Sequence, residues 1–485
     1  MPKCTVDAVP ARHVLCFMFF IGFTIVFLLR VNLNLAIVGM AVHNVTVSIL
    51  SGNETSGVTR LNDTGEFSEV LSPGGEFEWG EFQQGLILGA FFYGYMSSQI
   101  PGGRIAEIYG MKPVFGTAVL LNGVLCLLIP LFARFHWVLL FIIRVVQGLG
   151  QGVLYPALSS CIMKWVPFNE RARFIAITVQ GCSLGPVVAM PLCGWILTTW
   201  GWPAVFYVSG VVTLIWYAAW LFLVYETPEV HPRISKKEKK YLKDNVEANY
   251  DEKPTSLPWK KVFASPQFWI GIFAHVGSDW GFHIFYTFGP KYMKDALGFD
   301  INKSALLSSL PFLCQYITAT ILGYVADKLV TDYSVPVRRI RKASVMMSHW
   351  GPAILLITMT FLTEDVTASV ITLTVAVSML GALTTGYYSN PIDIAPNFAG
   401  SLTGFANTLG SLGGIICTTT AGASLQKFGS PKGWHVIFYT AAALYTVTSM
   451  PFVLWIKSEV LPWNNCGKPK NVEMKLISSN DKSRT

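Results

Sequence analysis

Residues 103–112 read GRIAEIYGMK, and residues 323–328 read GYVADK. Each stretch begins with a glycine that is followed four residues later by a carboxylate and then by a basic residue, and the two glycines are 220 residues apart. Each stretch also follows the second long apolar run of its half of the chain. The repeat therefore predicts two structurally similar halves, joined by the polar and basic segment that separates them.

Composition places this repeat in a membrane protein. The chain has 485 residues, of which 52% are hydrophobic and 13% are charged. Soluble domains carry about 25% charged residues, and a helix needs about 20 mostly apolar residues to cross a bilayer. Twelve windows of this kind are present, at 14–42, 81–102, 113–133, 136–160, 174–198, 203–225, 267–290, 304–327, 343–362, 368–390, 400–424 and 434–456. We therefore predict an all-α membrane protein with twelve transmembrane helices in two six-helix bundles.

The basic residues predict that both chain ends lie in the cytoplasm. With this orientation the cytoplasmic segments hold 27 Lys and Arg residues and the outer segments hold seven, as the positive-inside rule requires. The loop 43–80 contains three glycosylation sequons, at Asn44, Asn53 and Asn62, which also places it outside. Because topology accounts for the basic residues, the net charge of +8 does not indicate a nucleic-acid partner.

These assignments divide the chain into a cytoplasmic N-terminus (1–13), an N-terminal six-helix bundle (14–226), a cytoplasmic linker (227–266), a C-terminal six-helix bundle (267–456) and a cytoplasmic tail (457–485). The nine cysteines are scattered, and none has metal-ligand spacing. The sequence therefore predicts no metal site, no cofactor and no disulfide framework.

The two repeated stretches predict a conformational latch at the cytoplasmic end of each half. Glycine lets helices approach closely, and the carboxylate can pair with a basic residue or cap a neighbouring helix. Such a contact can hold one conformational state and release it in another. The predicted latch residues are Gly103, Glu107, Gly110 and Lys112 in the first half, and Gly323, Asp327 and Lys328 in the second.

Two arginines lie inside apolar windows of the first half. Arg30 falls deep in span 1 and Arg144 in the first half of span 4, while no Asp or Glu lies in the middle of spans 1 to 6. A charged side chain at the bilayer centre costs at least about 2.5 kcal/mol. We therefore expect the guanidinium groups to face a watery cavity in which an anion completes their charge. Snorkelling, or binding to backbone carbonyls, is the alternative.

Several stretches of sequence indicate which protein family the chain resembles. They are RVNLNLAIV at 30–38, GAFFYGYM at 89–96, QIPGG at 99–103, RVVQGLGQGV at 144–153, KWVP at 164–167 and DIAP at 393–396. Together they resemble the anion–cation symporters of the major facilitator superfamily, which include sialin, the vesicular glutamate transporters and the type I sodium–phosphate cotransporters. The resemblance covers residues 14–456. It implies coupling of anion movement to a cation gradient or to voltage, with Arg30 and Arg144 contributing to anion recognition.

The chain also departs from some relatives. Proton-coupled sialins and the glutamate transporters have a glutamate where this chain has Gln151, and sialin has a second glutamate at Gln147 and a histidine at Ser159. A glutamine cannot exchange a proton at physiological pH. The arginine and the histidine that glutamate transporters carry in spans 7 and 2 fall at Ser278 and Leu88. The resemblance therefore favours the sodium–phosphate or general organic-anion branch.

Candidate coupling residues lie in span 7, where His275, Asp279 and His283 share one helix face. Asp279 could bind sodium or exchange a proton, and the histidines could tune it or titrate themselves. A salt-bridged trio near the outer end of the helix is the alternative. Asn407 in span 11 and Tyr93 in span 2 complete the predicted substrate site, with ordinary helix packing as the alternative for both.

These features predict a secondary active transporter that binds a small anion between its two halves and exposes it alternately to each side. Sodium-coupled phosphate symport is the leading prediction, and proton-coupled, sialin-like organic-anion transport is the rival. A receptor or a membrane enzyme is disfavoured, because the sequence shows no ligand or signalling domain and no catalytic cluster. We also predict that the protein is a monomer. The predicted location is the plasma membrane, because the termini lack an obvious acidic dileucine signal.

Overall fold

The computed structural model describes residues 10–41, 75–167, 170–246, 257–299, 301–362 and 365–465. This part of the chain contains no β-strand, only an isolated bridge between Ala41 and Phe77. Its α-helices are α1 Ala11–Met40, α2 Glu81–Tyr109, α3 Met111–Phe135, α4 Trp137–Gly152, α5 Leu154–Trp165, α6 Arg171–Trp200, α7 Trp202–Leu223, α8 Lys236–Val246, α9 Trp259–Phe263, α10 Pro266–Asp295, α11 Ile301–Thr331, α12 Val337–Val345, α13 Gly351–Met359, α14 Val366–Met379, α15 Asn390–Ile394, α16 Ala399–Phe428 and α17 Lys432–Trp455.

The helices form two bundles. In the first, α1 packs against α6 and α7, and α2 packs against α4; in the second, α10 packs against α16 and α17, and α11 packs against α14. Only Val153 separates α4 from α5, and a π-helical turn at Met346–Trp350 joins α12 to α13. Each of these pairs is therefore one pass, so the described residues hold six membrane-length passes in each bundle. The short helices α8 and α9 lie between the bundles in the sequence.

Eight helices of the described residues are long and apolar enough to cross a membrane by length and composition. Four predicted windows do not meet this criterion of length and composition: those of α2, α10, α16 and the α12–α13 pass. The helices α2, α10 and α16 meet along the seam between the bundles, so their polar residues and glycines face protein instead of lipid. The α12–α13 pass falls short because the π-helical turn divides it into two helices of nine residues.

The seam between the bundles is closed at one end. We call this end outer, because sequence topology predicts that it faces outside. A Cβ atom added to Gly85 of α2 would lie 3.2 Å from Gly422 Cα of α16, so the two backbones touch there. At the other end of α16, a Cβ atom at Gly404 would meet nothing within 4 Å. The backbones of the two bundles therefore touch at the outer end, and side-chain contacts across the seam continue inward as far as Gln99 of α2 and Thr408 of α16.

Candidate anion and coupling site

Arg30 occupies an aromatic cage between the bundles. Its guanidinium carbon lies 4.6 Å from the ring centroid of Phe27, 4.3 Å from that of Phe91 and 4.7 Å from that of Tyr95. Its Nε donates a hydrogen bond to Gln151 Oε1 at 3.3 Å. Cation–π contacts become stronger when the groups are desolvated, and Arg30 is only 8% exposed. The rings therefore stabilise the cation without neutralising its charge.

Arg144 is enclosed more completely, with 1% of its surface exposed. Its Nη1 donates to Gln147 Oε1 at 3.1 Å and to the Leu29 carbonyl at 3.5 Å, and its Nη2 donates to the Arg30 carbonyl at 3.3 Å. This is the alternative of backbone-carbonyl binding that the sequence left open. Because these contacts tie α4 to the turn of α1 that carries Arg30, Arg144 is placed to position Arg30.

Amide side chains complete the network behind the two arginines. Gln151 Nε2 donates to Asn122 Oδ1 at 3.2 Å, and Gln147 Nε2 donates to the Asn122 carbonyl at 3.3 Å. Within the described part of the chain, neither Arg30 nor Arg144 forms an ion pair with a carboxylate. Two positive charges therefore remain uncompensated at the centre of the N-terminal bundle.

The C-terminal bundle supplies the opposite wall of the cage. Asn407 Nδ2 donates to Tyr95 Oη at 3.3 Å across the seam. The centroid of the His283 ring lies 4.4 Å from that of the Phe92 ring, with the two planes tilted by 58°. Both His283 Nδ1 and Tyr286 Oη are buried without a hydrogen-bond partner. Buried polar atoms are normally paired, so these two groups leave hydrogen-bonding capacity for a ligand or water in the seam.

His275 and Asp279 form a close pair, whereas His283 lies apart from them. His275 Nε2 is 3.3 Å from Asp279 Oδ2, and the His275 ring lies 5.1 Å and 5.0 Å from the rings of Tyr387 and Tyr388. The helix face predicted from the spacing is present, but its three members divide between two environments. His283 faces the aromatic cage, while His275 and Asp279 face the interior of the C-terminal bundle.

Known proteins match this arrangement. A family model described as Major Facilitator Superfamily matches residues 15–418. Over 453 residues the chain is 34% identical to human sialin, covering 93% of this chain and 90% of sialin. It is 33% identical to a Drosophila melanogaster protein named "Putative inorganic phosphate cotransporter" (96% and 88% covered) and to human vesicular glutamate transporter 2 (95% and 76% covered). The chain belongs to the major facilitator superfamily, in its anion–cation symporter family.

Solved structures of transporters share the fold. A bacterial homolog of the human lysosomal transporter Spinster, in an inward-facing and occupied conformation, aligns with a TM-score of 0.70 at 14% identity, covering 94% of this chain and 100% of that one. A D-xylose–proton symporter aligns with a TM-score of 0.67 at 12% identity, covering 93% and 100%. The predicted all-α fold of two six-helix bundles, the family and the exclusion of an enzyme are confirmed.

One predicted substrate contact needs correction in this family member. Tyr93 is 41% exposed, and its ring lies 6.1 Å from Phe141 of α4, on a different side of α2 from the cage. Successive helix residues turn by about 100°, so a residue two positions from both Phe91 and Tyr95 points away from them. The aromatic run was therefore informative, but the residues of α2 that surround Arg30 are Phe91 and Tyr95.

Two of the N-terminal latch residues, Gly110 and Lys112, contact a carboxylate that the sequence analysis missed. Glu226, just beyond α7, accepts hydrogen bonds from the backbone nitrogens of Met111 and Lys112 at 3.1 and 2.9 Å, and from Lys164 Nζ at 2.6 Å. Its carboxylate thus caps the N-terminus of α3 and ties it to α5. Gly103 lies six residues before the last residue of α2, and a Cβ atom added there would have Pro156 as its nearest neighbour. The side chain of Glu107 lies outside the described residues.

Gly110 has a backbone φ of +90°, which disfavours any other residue. A Cβ atom there would also lie 2.6 Å from Glu226 Oε2. We expect Gly110→Ala to destabilise the protein by about 1–3 kcal/mol through backbone strain and a displaced helix cap. Thermal unfolding in detergent measures this, with Gly404→Ala as the control at an open glycine. Equal unfolding midpoints for the two variants would contradict the role of Gly110.

The C-terminal copy of the latch has no equivalent clamp at its predicted residues. Asp327 and Lys328 are exposed, and Gly323 has no neighbour within 4 Å of an added Cβ atom. The strong ion pair at this end joins Arg341 to Asp393, with contacts of 2.7 and 3.0 Å. The latch function of both copies stays a prediction, as does glycosylation, because Asn44, Asn53 and Asn62 lie outside the described residues.

A further inter-bundle contact, missed by the sequence analysis, closes the outer end of the seam. Lys291 is 2% exposed, and its Nζ lies 3.0 Å from Glu81 Oε1 and 3.4 Å from Asp295 Oδ2. It also donates to Gln84 Oε1 at 3.0 Å. The spacing of Lys291 and Asp295 is visible in the sequence, but the partners in α2 are not. We call Lys291, Glu81, Gln84 and Asp295 the outer gate.

Proposed function

We propose that this protein transports a small organic anion by alternating access, with Arg30 as the contact for the acidic group. The observation that carries this proposal is the aromatic cage, which holds one uncompensated and incompletely buried guanidinium between the two bundles. An organic anion suits the cage because its acidic end can take charge-assisted hydrogen bonds from an arginine. The remainder of the molecule can then pack against the rings.

Phosphate is the second candidate. Two observations support phosphate: the sequence predicts sodium-coupled phosphate symport, and the Drosophila melanogaster relative is named "Putative inorganic phosphate cotransporter". The geometry favours it less, because Nη1 and Nη2 of Arg144 donate to Gln147 and to backbone carbonyls, which leaves Nε as the one nitrogen of this side chain without a partner among the described residues. A doubly charged phosphate would then rely on Arg30 and on neutral donors. A proton-driven, sialin-like substrate such as an acidic sugar fits the organic-anion proposal.

The gate and the seam support alternating access. The outer gate corresponds to a state that is closed towards the predicted outer side. The opposite state requires the outer gate to break, as the two halves rock about the central site. A monomer suffices for this cycle, because the proposed site lies within one chain.

Uptake by the purified full-length protein in liposomes tests the proposal. The probes are radiolabelled phosphate, sialate and benzoate, each with sodium and with choline in its place, and each with and without an inward acid gradient. We expect uptake of an organic probe that excess unlabelled phosphate does not displace. Saturable uptake of phosphate alone would refute the organic-anion proposal in favour of the second candidate. The plasma membrane location stays a sequence prediction, and the names of the vesicular relatives give it no support.

Gln151→Glu should make anion uptake depend on acid. The new carboxylate would stand where Gln151 Oε1 now accepts from Arg30 Nε, so its negative charge would compete with the substrate for Arg30. Protonation of this glutamate would release Arg30 again. We expect at least a tenfold loss of uptake near neutral pH, by analogy with a charge-assisted hydrogen bond of about 1.5–3 kcal/mol, and recovery only as the pH falls far enough to protonate a glutamate whose ionised form Arg30 stabilises. Gln151→Leu is the control, since it removes the hydrogen bond without adding a charge. Uptake that stays independent of pH in Gln151→Glu would contradict this role.

A further inference from the structure

A cleft enters the C-terminal bundle separately from the aromatic cage. It encloses about 20 Å³, room for about one water molecule, and is lined by residues of α10, the α14–α15 segment and α16, among them Gln267, Gly271, His275, Tyr388, Asn390 and Thr403. One face of α10 carries Gln267, Gly271 and His275 at intervals of four residues, and Asp279 is the next position on that face. Gln267 lies in the first turn of α10, so this end of the cleft is at the inner end of the bundle.

The His275–Asp279 pair lies at the other end of this face. His275 is 2% exposed, and its Nε2 lies 3.3 Å from Asp279 Oδ2. On the side of α16, a Cβ atom added to Gly410 would lie 2.5 Å from Asp279 Oδ2, so that helix packs directly on the carboxylate. Nearby, Ser278 Oγ and Tyr387 Oη are buried without completing a hydrogen bond. His275 is thus enclosed, with unused polar capacity around it, whereas the side chain of Asp279 is 18% exposed.

Other titratable and charged groups also face the pair. His283 lies on the same helix, Tyr387 and Tyr388 lie between α14 and α15, Tyr445 lies on α17, His349 lies on the π-helical turn and Arg30 lies across the seam on α1. His349 is already satisfied, because its Nε2 bonds the Ala274 carbonyl at 3.1 Å and its Nδ1 bonds Ser348 Oγ at 3.0 Å. The acid nearest to His275 among the described residues is therefore Asp279.

We propose that the His275–Asp279 pair is the coupling-proton site, and that it exchanges protons with the inner side through this cleft instead of through the aromatic cage. The proton is held between His275 Nε2 and Asp279 Oδ2, and its binding and release make or break no other covalent bond. We assign a proton to the pair because the nearest partner of this carboxylate is a ring nitrogen, which can take up and release a proton. This inference rests on the proposed function, since it names the ion coupled to anion movement.

Infrared spectroscopy of the full-length protein in liposomes tests the site without any substrate. The ring bands of protonated imidazole are followed between about pH 5 and pH 8, because a histidine that faces a carboxylate takes the proton on its ring in this range. We expect a titrating band that His275→Gln removes and whose midpoint Asp279→Asn lowers by about one pH unit or more, since the carboxylate stabilises the imidazolium. His349→Gln is the matched control for loss of a buried histidine, and Arg30→Ala should retain the band.

A second variant tests the cleft itself. A Cβ atom at Gly271 would lie 3.9 Å from Asn390 Oδ1, an ordinary contact, so a larger side chain there would extend into the cleft. After a pH jump on the inner side, Gly271→Leu should slow the response of the band at least severalfold without shifting its midpoint. An identical band in wild type and Asp279→Asn would overturn the site, and an unchanged rate in Gly271→Leu would overturn the route. Neither result depends on which anion is transported, so the proposed function would survive both.

Discussion

Replacing Arg30 with alanine should reduce anion uptake by at least about a hundredfold. Each charge-assisted hydrogen bond contributes about 1.5–3 kcal/mol, and the acidic group of the substrate would lose its only proposed cationic contact. The variant should still fold, because Arg30 makes one side-chain hydrogen bond to Gln151 and is otherwise held by rings. Uptake and direct binding of the anion in liposomes measure the effect, and thermal unfolding monitors the fold.

Arg30→Lys separates charge from geometry at the same position. A lysine keeps the positive charge but lacks the planar fork that binds an acidic group through two bonds, so we expect an intermediate loss of uptake. Arg134→Ala is the control for removing an arginine elsewhere, since Arg134 pairs with Glu76 on the outer surface at 2.8 Å. Full anion transport by Arg30→Ala would refute the assignment of the site.

Lys291→Met should release the outer gate. Methionine preserves much of the length and apolar contact of the lysine, but it removes the buried cation that joins Glu81 of α2 to Asp295 of α10. Loss of one partner from a buried ion pair costs about 3–5 kcal/mol, and part of this cost falls on the closed state. We therefore expect the outward-open population to rise about tenfold or more.

A cysteine at Leu88 reports this change. Leu88 is 3% exposed in the closed seam, so Leu88→Cys should react with a membrane-impermeant maleimide from the outside only when the outer ends separate. The rate of labelling should rise in the Lys291→Met background. Two backgrounds serve as controls: the protein without the added cysteine, and Lys427→Met at an exposed lysine near the outer end of α16. Equal labelling rates in the Lys291→Met and Lys427→Met backgrounds would exclude Lys291 as a gate residue.

The candidate site was predictable only in part. Arg30 could be found because an arginine inside an apolar window, without a nearby acid, carries a large free-energy cost. That cost can be inferred from the sequence alone. The pairing of His275 with Asp279 followed from helical spacing alone. Arg144 was equally visible, but whether it contacts a cavity or a carbonyl depends on how α4 packs on α1. Tyr93 was wrong for a similar reason, since the run of aromatic residues does not reveal which side of α2 faces the seam.

The amino-acid sequence by itself determined the number and order of the membrane passes, the division into halves and the burial of two positive charges. These are consequences of hydrophobic length and of local charge, which neighbouring residues decide. Only the tertiary structure decided which end of the seam is closed, that Glu226 caps α3, and that Lys291 closes the outer gate against α2. Those contacts join residues from about a hundred to more than two hundred positions apart, and their energies exist only after the bundles have packed.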